Sequence, residues 1–129
     1  QKALKGYPMK KTIASVAGIV TLTAVLAGPA LAHTDLVKSS PAADSTVAAP
    51  KTIVLTFSEK VAPAFSGFEV VMDGMNMKVT VKTDTSSDGK TVTLTPQGPL
   101  MAGSYKLNWH AAAAEDGHRT DGVVSFKVK

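Results

Sequence analysis

The sequence contains no cysteine, which excludes both disulfide staples and thiolate metal sites. The core must therefore hold by packing alone. Aromatic residues make up only 5% of the chain, with a single tryptophan. The longest apolar stretch, Ile13 to Ala27, is interrupted by Gly18 and followed by Gly28 and Pro29; it falls short of the roughly 20 residues that a membrane span needs. Several catalytic signatures are also missing: a Gly-x-Ser-x-Gly elbow, a phosphate-cradling glycine loop, a zinc-protease helix and an EF-hand acidic loop. Basic charge is scarcer than it first looks. The net charge of +4 comes entirely from Lys2, Lys5, Lys10 and Lys11, and residues 33–129 hold ten basic and ten acidic side chains. A pI near 9.4 thus gives no electrostatic basis for a nucleic-acid partner.

What is present begins with a leader. From Met9 the chain reads Met-Lys-Lys, then the apolar stretch, then Ala30-Leu31-Ala32, the charged, apolar and small order of a secretory signal. Cleavage is expected after Ala32, so that residues 1–32 are upstream residues plus signal peptide and residues 33–129 form one domain. The mature form is then not membrane-spanning, and its first residue is His33.

After His33 the hydropathy has period two. Ile53, Leu55 and Phe57 share a face, as do Phe68, Val70 and Met72, then Tyr105, Leu107 and Trp109, then Val124, Phe126 and Val128. Val79 and Val81 alternate with Lys78, Thr80 and Lys82, and Ser87-Asp88-Gly89-Lys90 is turn chemistry before Val92 and Leu94. Short alternations separated by turns, with no convincing helix, predict an all-β, immunoglobulin-like Greek-key sandwich of about seven strands in two antiparallel sheets. Such a fold carries no function of its own.

A terminal histidine offers two nitrogens, the α-amine and ring Nδ1, that close a chelate ring around a metal. Before cleavage the same backbone nitrogen is an amide with a delocalised lone pair, so processing creates the donor. Asp116 and His118 are two residues apart across Gly117, on one side if that segment is extended. Amine, imidazoles and a carboxylate form the tetragonal N,O set that Cu(II) prefers, with zinc as the runner-up. The plain alternative is a polar loop in which Asp116 caps a turn.

Met72, Met75 and Met77 crowd the Asp73-Gly74 turn. Thioethers suit Cu(I), whereas the ordinary reading makes Met72 core and the other two surface. Met101 reads as packing in another loop, and His110, next to Trp109, faces away from the core.

Together, "HTDLVKSSPA" at the mature start, "LTFSE" at 55–59, the Phe65-Ser66-Gly67 and Met-rich stretch, "GPLMAGSYKLNWH" at 98–110 and "DGHRTDGVVSFKV" at 116–128 resemble the CopC family of periplasmic copper-resistance proteins. The resemblance implies a cupredoxin-like or immunoglobulin-like sandwich that binds and carries copper without catalysis and releases it to a membrane importer. It implies a Cu(II) site at His33, Asp116 and His118, with Glu59 as an extra ligand or close neighbour. The family's Cu(I) site uses several methionines and a histidine in the loop holding Met72, Met75 and Met77; here that loop is shorter and lacks the histidine. Two other function classes stand beside the carrier. Copper monooxygenases of polysaccharides also combine an N-terminal histidine with a second histidine on a β-sandwich, and sandwiches serve as metal-free interaction modules.

Overall fold

The computed structural model describes residues 34–129. The leader and His33 lie outside the described residues. Nine strands run in the order β1 Leu36–Ser40, β2 Ser45–Val47, β3 Ile53–Phe57, β4 Gly67–Met72, β5 Met77–Val79, β6 Val81–Thr85, β7 Thr91–Pro96, β8 Gly103–Ala112 and β9 Arg119–Val128. One sheet has the order β1-β3-β7-β6 and the other β2-β9-β8-β4-β5. Among the described residues the only helical segment is one 3-10 turn, Pro63–Phe65, and no helix is long and apolar enough to cross a membrane.

The two sheets close over the side chains that the period-two pattern singled out. Ile53, Leu55 and Phe57 of β3 and Val92 and Leu94 of β7 are buried, and so are Val70, Tyr105, Leu107, Trp109, Val124, Phe126 and Val128 of the other sheet. Alternate residues of a strand point to opposite faces, so each strand presents one apolar row to the facing sheet. Phe57 meets the Trp109 ring edge-on at 5.2 Å, and Tyr105 stacks on Phe126 at 5.5 Å; such pairs add a directional term to area burial.

The strand count of nine exceeds the expected seven for two local reasons. Val79 and Val81 belong to different sheets: the chain leaves β5 and enters β6 at Thr80, and the alternation runs unbroken through the crossing. Strand β2 has only three residues and pairs with β9 in parallel, Ser45 with Phe126 to Val47 with Val128, so the second sheet is not wholly antiparallel. Asp44, at φ +63° and with its N–H on the Ser125 carbonyl at 2.6 Å, turns the chain into that pairing. The Ser87 to Lys90 turn is present as expected, with Gly89 at φ +75° and the Asp88 carboxylate accepting from the Lys90 N–H at 2.9 Å.

Candidate metal centre at one end of the sandwich

Strands β8 and β9 form a long hairpin whose connecting loop, residues 113–118, projects from one end of the sandwich. The Ala113 N–H donates to the His118 carbonyl at 2.9 Å, and the Gly117 N–H donates to the Ala113 carbonyl at 2.9 Å. Gly117 sits at φ +72°, a conformation in which a side chain is strained, so glycine serves the backbone here. The His118 N–H donates to Asp116 Oδ1 at 2.9 Å. The segment is therefore a turn and not extended, which corrects the expectation that extended geometry puts Asp116 and His118 on one side. Asp116 caps the turn through one oxygen, and its second carboxylate oxygen adds a donor in the same loop. Both residues are exposed.

The segment Ser58 to Ala62, which follows β3, ties this loop to the start of the described chain. On one side Ser58 Oγ accepts the Asp35 N–H at 2.9 Å, and the Ser58 N–H donates to the Asp35 carbonyl at 2.8 Å. On the other side the Ala114 N–H donates to the Lys60 carbonyl, and the Ala62 N–H to the Ala112 carbonyl, both at 2.8 Å, around a Val61–Ala113 bridge. Glu59 is partly buried in the middle of this strap. Residue 35 and the Asp116–His118 loop thus flank one short stretch of backbone.

Thr34 is fully buried, and its Oγ1 has no hydrogen-bond partner among the described residues. An orphaned buried hydroxyl costs on the order of 1–3 kcal/mol, and this one adjoins the predicted terminal ligand. His33 itself lies outside the described residues. Among the described residues no three His, Cys, Asp or Glu side chains gather as a metal-holding group; Asp116 and His118 are two such side chains in one loop. Sequence reasoning missed Ser58 and Thr34. The serine stands inside the "LTFSE" stretch, but its partner Asp35 is 23 residues away.

The methionines occupy the opposite end. Met72 is 8% exposed, pairs across the strands with Met77, and lies against Gly103, where an added Cβ would come within 2.6 Å of its methyl. Met75 and Met77 are exposed at 61% and 48%. Met72 and Met77 share a groove of about 250 Å³ with Met101, Leu100 and Tyr105, and Met75 does not line it. Met101 is 57% exposed, which corrects its expected packing role: it stands at the groove because the Tyr105 hydroxyl donates to its carbonyl at 2.7 Å and fixes the loop. Met72 faces Tyr105 across β4 and β8, seven residues before Ala112, so at ~3.4 Å per residue the groove and the Asp116–His118 loop are roughly 24 Å apart.

His110 is on the outer face of its sheet as expected, only partly exposed, with its ring over Gly67. Its cross-strand partner Asp121 is engaged by Arg119 at 2.9 Å.

The family profile described as the CopC domain matches residues 36–129. Copper resistance protein C of Xanthomonas campestris pv. juglandis is similar at 43% identity over 118 residues, 86% of this chain and 92% of that one. Copper resistance protein C of Escherichia coli is similar at 40% identity over 107 residues, 78% of this chain and 84% of that one. Among solved structures, PcoC, a methionine-rich copper resistance protein from Escherichia coli, superposes with a TM-score of 0.69 at 41% identity, covering 76% of this chain and all of that one (100%). CopC from Methylosinus trichosporium OB3b gives 0.68 at 30% identity, covering 75% and 94%.

Proposed function

The chain belongs to the CopC family, and we propose that it binds Cu(II) in the periplasm through His33, Asp116 and His118, as a carrier for copper resistance. The observation that supports this reading is the Ser58–Ala62 strap, hydrogen-bonded to Asp35 on one flank and to Ala112 and Ala114 on the other. A ligand two residues before Asp35 and a ligand pair just past Ala114 then need only short reaches to one ion. Glu59 lies on the same strap and is a further oxygen donor or neighbour.

Copper is cargo in this scheme, so the site must both capture and release it. The exposed Asp116–His118 arm suits release, because it is anchored by backbone hydrogen bonds and not buried in the core. A membrane copper importer is the proposed recipient. The monooxygenase reading is less well supported: the only tryptophan is 7% exposed and forms core, and of the described aromatics Phe65 alone, at 73%, stands out from the surface. A flat aromatic platform for a polysaccharide is therefore lacking among the described residues. Reductant-driven oxygen consumption by the copper-loaded protein separates the two, with sustained turnover favouring the enzyme.

The methionine groove supports a second, soft site. Met72 and Met77 line one cavity together with Met101, and thioethers prefer Cu(I). Electron paramagnetic resonance of the Cu(II) form tests the first site: nitrogen couplings are expected in the wild type and should diminish in His118→Ala. An unchanged spectrum in that variant would refute the assignment.

A further inference from the structure

We infer that the exposed Met75, Met77 and Met101 are sites of two-electron oxidation, and that conversion of Met77 and Met101 to sulfoxides turns the groove they line from a soft cavity into a more polar one. Three observations carry this. Their exposures are 61%, 48% and 57%, against 8% for Met72. Met77 and Met101 line the same groove although they are 24 residues apart in sequence. And Met101 is held there by the Tyr105 hydroxyl on its carbonyl, so its thioether stands at the surface by construction of the loop.

Oxidation of methionine follows access to the sulfur. With hydrogen peroxide the thioether lone pair attacks one peroxide oxygen. The S–O bond forms as the O–O bond breaks, the departing hydroxide takes the proton left on the sulfur-bound oxygen, and methionine sulfoxide and water result. Sulfur is oxidised by two electrons and peroxide is reduced by two. Met72 is shielded by its place between the paired strand, Gly103 and the core, so it is the protected member of the set.

A sulfoxide presents a polar oxygen and loses the soft thioether donor. The consequence for metal rests on the groove being a Cu(I) site as proposed above: oxidation removes Met77 from the ligand set while leaving the Asp116–His118 loop, roughly 24 Å away, untouched. Reduction by a methionine sulfoxide reductase restores the thioether, which makes the change reversible.

The test is a time course of the purified protein with hydrogen peroxide, metal-free and with chelator present, mapped by tandem mass spectrometry. Met75, Met77 and Met101 are expected to oxidise on the order of tenfold faster than Met72, with the four rates converging in denaturant. A Met72 rate equal to the others in the folded protein, or a difference that persists on unfolding, would overturn the inference. Cu(I) and Cu(II) uptake before and after oxidation then isolates the metal consequence. Loss of Cu(I) uptake alone supports it, and unchanged Cu(I) uptake after complete oxidation contradicts it. Absence of Cu(I) uptake in the unoxidised protein refutes the soft-site reading while the oxidation map stands by itself.

Discussion

The backbone N–H of His118 donates to Asp116 Oδ1 at 2.9 Å, so the residue offered as a ligand also sets the turn that presents the histidine. The two roles separate by substitution. Asp116→Asn keeps an oxygen to accept the His118 N–H and should stay within about 0.5 kcal/mol of wild-type stability. Asp116→Ala loses the bond and should cost about 1 kcal/mol. Thermal unfolding reads the turn and a Cu(II) titration reads the ligand. Weakened copper binding in Asp116→Asn is expected; full affinity there would reduce Asp116 to a turn residue.

Gly122 and Gly67 make a paired prediction in packing. An added Cβ at Gly122 would overlap the six-membered ring of Trp109, which is 7% exposed and wedged against Phe57. Gly122→Ala should therefore destabilise by about 1–3 kcal/mol. At Gly67 the obstacle is the His110 ring, which is partly exposed and able to swing outward, so Gly67→Ala should cost less than about 1 kcal/mol. Denaturant melts of the two variants check the order, and equal losses would contradict it.

Tyr105 supplies a pH dependence. Burial pushes its phenol above the ordinary 10.0. The fold thus disfavours the phenolate, so this contribution to stability is complete below the unfolded value and is lost as pH rises through the higher folded one. Residues 33–129 contain no other tyrosine, and phenolate absorbance should therefore appear later than in a free tyrosine. Tyr105→Phe should lack this alkaline component while losing about 1 kcal/mol at neutral pH with its hydrogen bond. An ordinary titration midpoint in the folded wild type would contradict the assignment.

The sandwich was legible because β3, β9 and β8 as far as Ala111 each bury one alternating row, and alternation identifies a half-buried strand. Thr80 was not legible as a crossing point, since a chain changing sheets need not interrupt period two. Strand β2 escaped because three residues, Ser45 to Val47, are too few to show a period. At the candidate metal centre the Asp116-Gly117-His118 spacing was visible, but its turn geometry follows from the positive φ of Gly117, which local composition allows without requiring. The Asp35–Ser58 bonds and the arrival of Met101 at the Met77 groove join distant parts of the chain. Only strand pairing brings such residues together, and a reading of one segment at a time does not see it.

In the proposed Cu(II) site a free amino group on His33 completes the ligand set begun by Asp116 and His118. Calorimetric Cu(II) titration of two forms tests it most directly: one beginning at His33, the other carrying a single added alanine before it, with matched unfolding curves. The terminal histidine form should bind more tightly by orders of magnitude, because the extension returns an amine donor to an amide. Equal affinities in the two forms would contradict the account.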